Sequence, residues 1–132
     1  MIEENLHEVL RSIEESRAKR TIADAKEPVR LVAVTKNHGV AEMREAIAHG
    51  VTDIGENRIQ EAREKFETLE RTAVWHLIGH LQKNKAKYAV KLFDLIHSVD
   101  TLELAEALDK EAGKIGKRQD VLVQVNLAKE AS

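Results

Sequence analysis

Short runs rich in Val, Ile and Leu begin near residues 31, 51, 74, 93 and 120, and the stretches between them carry apolar residues at helical spacing. Strands that alternate with helices are joined by right-handed crossovers, which makes the strands parallel and brings their C-terminal ends to one edge of the sheet. The fold class is therefore α/β, built from parallel strand-helix units. In the first run, Leu31-Val32-Ala33-Val34-Thr35-Lys36, four residues are apolar, so it reads as a strand buried on both faces. The further strands are expected over 51–54, 74–78, 93–97 and 121–125. A helix precedes them, with Leu6, Val9, Leu10 and Ile13 on one face, and the polar stretch through Asp24 to Pro28 ends it. The later helices carry Val40, Met43 and Ile47; then Ile59, Ala62, Phe66 and Leu69; then a short segment around 86–90; then Leu104, Leu108 and Ile115. Gly50 and Gly116 are placed to close two of them, and Asp100 with Glu103 forms a plausible capping pair for the last.

The edge where parallel strands end is where ligands and reactive groups gather in this fold class. Here it holds Lys36, Asn57, Gly79 with His80, Ser98 and Asn126. Lys36 has two readings. Lysine is strongly hydrated and seldom buried, so the strand can simply end in a solvated ammonium. Alternatively the amine is a Schiff-base nucleophile, which must be partly neutral to attack an aldehyde. An ordinary lysine at pKa ~10.4 is neutral less than about 0.1% of the time at pH 7, a fraction that desolvation raises. Asn57, two residues after Gly55, can cap the following helix or contact a ligand, and the two roles are compatible.

The remaining polar residues carry weaker signals. His76 and His80 fall on a strand and its loop, where a four-residue spacing does not bring the rings together, and neither a cysteine nor an adjacent carboxylate completes a ligand set; no metal is expected. His76 is better placed for packing or hydrogen bonding. Lys83, Lys85 and Lys87 form a basic patch that reads as a solvated face or an anion contact, and Trp75 and Phe93 read as core. A formal charge of -2 and 3% aromatic residues give no reason to expect nucleic acid as a partner. With 42% hydrophobic and 33% charged residues, no apolar run of membrane-spanning length and no signal-peptide core, a soluble cytoplasmic protein is expected.

The 132 residues fit one domain, 1–132. An eight-fold barrel takes about 250 residues. The chain is thus either an open five-stranded sheet or an incomplete TIM-type barrel of about five strands, and residues 126–132, a loop with no helix to cover the fifth unit, favour the second.

Three motifs then narrow the reading: Val32-Ala33-Val34-Thr35-Lys36, Ile54-Gly55-Glu56-Asn57-Arg58-Ile59-Gln60-Glu61, and Trp75-His76-Leu77-Ile78-Gly79-His80-Leu81-Gln82-Lys83-Asn84-Lys85. In this order and register, continued by Ser98-Val99-Asp100 and Val125-Asn126, they resemble the pyridoxal phosphate homeostasis protein family, which has the barrel fold of the alanine racemase N-terminal domain. The chain corresponds to roughly the first 55 to 60 per cent of a complete member, judged against the usual barrel length. The resemblance implies that Lys36 forms an aldimine with pyridoxal 5'-phosphate and that Asn57 lies beside the cofactor ring, the phosphate being held in complete members by late strands without counterpart here. It implies a carrier that supplies the cofactor to apo-enzymes and catalyses nothing itself. A racemase-like enzyme would need a second proton-transfer group, supplied in racemases of this fold by a tyrosine from a further domain. The one tyrosine, Tyr88, falls in an expected helix. A third possibility is an interaction module or inert fragment that self-associates through unclosed sheet edges.

Overall fold

The apolar runs and helical stripes become, in a computed structural model describing residues 1–19 and 28–127, five strands and five helices among those residues. Helix α1 (Ile2–Ala18) is followed by β1 (Ala33–Val34), α2 (Val40–Ala48), β2 (Asp53–Glu56), α3 (Ile59–Leu69) and β3 (Val74–Leu77). A 3₁₀ turn (Lys83–Lys85) leads into α4 (Ala86–Leu92), then β4 (Leu95–Val99), α5 (Leu102–Lys114) and β5 (Asp120–Val123). The strands form one parallel sheet in the order β1-β2-β3-β4-β5. Sequential order with every strand parallel is how the wall of a TIM-type barrel is built. Here the wall is open, with β1 and β5 as its edges.

Alternation along the strands separates two faces. Ile54, Trp75, Leu77 and Ile96 are fully buried and pack with Met43, Ala62, Val90, Leu104 and Leu108 of the helices. The Trp75 ring meets Phe66 of α3 edge-on, with centroids 5.3 Å apart. On the other face lie Val32, Gly55, His76, Ile78 and His97, against which no further layer packs among the described residues. That openness corrects one expectation. Val34 is 50% exposed, and β5 is exposed along its whole length, so neither edge strand is buried on both faces.

Three strands, β1, β2 and β4, start two residues later than their apolar runs, and in β2 and β4 the leading residues serve the preceding helix. The Val51 N–H donates to Ala46 O and the Phe93 N–H to Ala89 O, so both side chains sit in the core from helix-closing turns. As a consequence Ser98 lies inside β4 rather than at the rim. The cap of α5 also moves by one: Thr101 Oγ1 accepts from the Leu104 N–H at 3.1 Å, and Asp100 does not cap. Gly50 (φ 111°) and Gly116 (φ 66°) close α2 and α5 in the left-handed region, as glycines do readily. The segment expected to end α1 falls mostly on residues 20–27, and the last loop on residues 128–132, both outside the described residues.

Candidate functional site

The mouth of β1 and β2 is held together by one buried ion cluster. After β1 the ladder runs one residue further, with the Thr35 N–H donating to Gly55 O at 2.9 Å. Glu56, the last residue of β2, turns its carboxylate to the helix side, where it is completely buried. From α3, Lys65 reaches back to it: Nζ lies 3.0 Å from both Glu56 carboxylate oxygens and 2.8 Å from the carbonyl oxygen of Thr35. Glu61, one helical turn before Lys65, completes the cluster at 2.8 Å from Nζ. The Thr35 hydroxyl donates to the Glu56 carboxylate. A buried carboxylate and a buried ammonium are tolerable only when paired and hydrogen-bonded in this way.

The same cluster holds the turn that follows. The Asn37 N–H donates to Glu61 Oε1 at 2.7 Å, and Asn37 takes φ 63°. The Lys65 hydrogen bond, opposed by burial and assisted by the Asn37 N–H, keeps the Glu61 carboxyl below the usual glutamate range. Between Thr35 and Asn37, Lys36 is exposed, with no hydrogen-bond or ion-pair partner among the described residues.

Asn57 follows Glu56 directly, and the Ile78 N–H to Glu56 O bond at 2.9 Å carries the β2–β3 ladder to the same level. Asn57 is half-buried and does not cap α3; that position belongs to Arg58, whose side chain makes no cap bond. Gly79 packs against its main chain so tightly that a β-carbon there would overlap the Asn57 carbonyl oxygen and stand 2.9 Å from its Cα. The first and second mouths therefore set Lys36 and Asn57 on neighbouring parallel strands, the second wedged in place by the third.

The other rim candidates do not join them in any recorded contact. His80 is exposed, and His76 points the other way along the open face, bonded to Asp53 at 2.7 Å and to His97 at 2.9 Å. Burial, with a smaller contribution from His76, holds His97 below the ordinary histidine range. Lys85 and Lys87 turn to the Tyr88 ring, at 5.8 and 5.0 Å, with Arg63 of α3 at 4.5 Å. Sequence reasoning passed over Glu61 and Lys65, which read as an ordinary surface pair on an amphipathic helix. Their signal was an i,i+4 Glu–Lys spacing opening directly behind a strand mouth that ends in another glutamate.

Chemically, the site offers an exposed primary amine on a turn hydrogen-bonded at both flanks, next to the strand mouth that carries the Asn57 carboxamide. That set suits an aldehyde with polar ring substituents. Residues 13–129 match the family described as alanine racemase, N-terminal domain. The chain is 44% identical over 108 residues to the pyridoxal phosphate homeostasis protein of Synechocystis sp., covering 80% of this chain and 50% of that protein. To the homologous protein of Pasteurella multocida it is 33% identical over 137 residues, covering 99% of this chain and 57% of that protein. Among solved structures it superposes on PipY of Synechococcus elongatus without PLP at a TM-score of 0.82 and 43% identity, covering 98% of this chain and 56% of that one. On PipY with PLP bound the TM-score is 0.80 at 41% identity, with 99% and 57% covered. The chain thus spans about half the length of the curated relatives it matches.

Proposed function

Since the chain belongs to the alanine racemase N-terminal-domain family, with pyridoxal phosphate homeostasis proteins among its relatives, we propose that it binds pyridoxal 5'-phosphate through Lys36 and Asn57 and serves intracellular homeostasis of that cofactor. Residues 1–132 would form the first part of an alanine racemase N-terminal-like (β/α)8 barrel. The observation that carries the reading is the exposed Lys36 amine, without a partner among the described residues, on a turn pinned at both flanks. PipY, solved with PLP bound, supports it as a relative of the same fold.

The residues present fit the group. When bound, the cofactor supplies an electrophilic aldehyde carbon and an anionic phosphate. Lys36 provides the amine that holds the aldehyde end, and Asn57, whose main chain packs against Gly79, provides a carboxamide able to donate and accept. A carrier needs only a reversible hold of this kind. A racemase needs an acid or base on each side of the ring. Tyr88 does not answer that need: it lies on α4, enclosed by Arg63, Lys85 and Lys87. We therefore read the protein as a non-catalytic carrier that releases the cofactor to apo-enzymes.

The test is an absorbance titration of the chain with pyridoxal phosphate, then borohydride reduction and mass mapping, with Lys36→Ala in parallel. A visible band and a reduced adduct confined to Lys36, both absent from Lys36→Ala, are expected. Equal labelling of many lysines in both proteins would overturn the reading, and alanine racemisation lost in Lys36→Ala would move it to the enzyme.

A specific observation favours one further property, self-association of this chain. β5 exposes Val121, Leu122 and Val123, followed by Val125 and Leu127, beside an open sheet edge. Sedimentation is expected to show dimers or larger species, and a monodisperse monomer would count against it.

A further inference from the structure

Lys36 stands between two residues whose main chains are tied to the same ion cluster. Before it, the Thr35 carbonyl accepts from Lys65 Nζ at 2.8 Å; after it, the Asn37 N–H donates at 2.7 Å to Glu61, itself 2.8 Å from that Nζ. The strand alone could not impose this geometry, because β1 contributes two residues to the ladder. The turn places Asn37 at φ 63°, a left-handed conformation that asparagine tolerates, and the bond from its N–H to Glu61 adds a tertiary anchor to that local preference. Lys65 is 7% exposed, and its three ammonium hydrogens face four acceptors: Thr35 O, both Glu56 oxygens and Glu61 Oε1.

We propose that Lys65 is the positioning residue for cofactor attachment: it fixes the 35–37 turn that presents the Lys36 amine, and its own enclosure keeps it from competing for the aldehyde. The inference rests on the reading of Lys36 as the attachment point. Attachment condenses the neutral Lys36 amine with the aldehyde, forming one C=N bond and releasing one water, and it requires that nitrogen's lone pair to be free and aimed. Two lysines at one mouth thus have opposite roles. One is solvent-facing and without a recorded partner among the described residues; the other is buried and fully engaged.

The experiment uses the 132-residue chain with Glu61→Gln, Lys65→Arg and Lys65→Met. Two quantities are read: hydrogen exchange of the Asn37 amide without cofactor, and the rate at which borohydride-fixed pyridoxal phosphate accumulates on Lys36. Glu61→Gln is expected to speed Asn37 exchange and to slow Lys36 labelling about tenfold to a hundredfold, the scale on which a small misplacement of a reacting group acts. Amides of β3 and β4 should stay as protected as in the unmodified chain. Lys65→Arg, which keeps the cation, should recover part of both effects, whereas Lys65→Met should spread the label to other lysines. Glu61 is a quarter exposed, so Glu61→Gln decides the matter if Lys65→Met does not fold. Faster Asn37 exchange with unchanged Lys36 labelling would reduce the cluster to a structural role and overturn the inference, as would unchanged exchange in Glu61→Gln. An unmodified chain that takes no label at Lys36 would instead overturn the proposed function, and with it the cofactor role of Lys65, while the exchange data still report whether the turn is clamped.

Discussion

Substituting Gly79 by alanine tests whether the third mouth wedges the second. The added methyl would overlap the Asn57 carbonyl oxygen and lie 2.9 Å from Asn57 Cα and 3.0 Å from its carbonyl carbon. All three obstacles are main-chain atoms, so no side-chain rotation relieves the contact; either β3 or the start of α3 must shift. Overpacking of this kind costs about 1–3 kcal/mol. For a domain of this size that corresponds to a fall in Tm of roughly 4–12 °C. Two other glycines calibrate the effect. At Gly55 a β-carbon would meet only side chains, Val32 at 3.1 Å and Ile78 at 3.3 Å, so a smaller loss is expected. At Gly113, inside α5, nothing lies within 4 Å, and alanine should raise stability by about 0.5–1 kcal/mol through helix propensity. Thermal melts followed by circular dichroism give the order Gly113→Ala above the unmodified chain, then Gly55→Ala, then Gly79→Ala. Because Asn57 must move, Gly79→Ala should also weaken pyridoxal phosphate binding. A Gly79→Ala melt within about 1 °C of the unmodified chain would refute the wedge, since a real overlap with backbone cannot be that cheap.

Acid should loosen the open face of the sheet. His97 is held below its ordinary value in the fold, so between that depressed value and about pH 6.5 the unfolded chain binds more protons and stability falls as pH is lowered. Urea midpoints measured from pH 7.5 downward should drop in this window, and His97→Asn, which keeps a hydrogen-bonding tip, should flatten the drop; parallel curves would contradict this. Ser98 is 1% exposed, and its Oγ lacks a hydrogen-bond partner among the described residues. Ser98→Ala should therefore leave stability unchanged or raise it by up to about 1 kcal/mol, and a loss larger than that in chemical denaturation would mean the hydroxyl is bonded.

What the sequence made legible follows from how local each signal is. The strand-helix alternation, the parallel sheet and the placement of Lys36 and Asn57 at neighbouring mouths all rest on periodicity and chain order, and the structure agrees with them. The starts of β2 and β4 were misplaced because Val51 and Phe93 are apolar for a reason other than strand pairing: they anchor helix ends in the core. Periodicity does not distinguish these two uses of an apolar residue. Asn57 and Asp100 were both credited with caps that went to their C-terminal neighbours, a one-residue shift within the ordinary spread of helix boundaries. The Glu56–Lys65–Glu61 cluster left only its Glu–Lys spacing as a trace, for a deeper reason. Whether a helical lysine faces water or a strand end is decided by the packing angle of α3 on β2, which no window of sequence contains.

That angle also governs how the lysine-bearing strand comes apart. β1 is an edge strand paired to β2 alone, over a ladder of two registered residues, and such a strand would ordinarily fray first and by itself. Here the carbonyl of Thr35, the residue that follows it, is bonded across to α3, so β1 cannot peel away without straining an ion cluster that the helix also needs. Strand and helix are thereby joined into one cooperative unit. The opening events that expose or rearrange the Lys36 turn are set by the tenacity of α3, one layer removed from the face on which the cofactor would arrive.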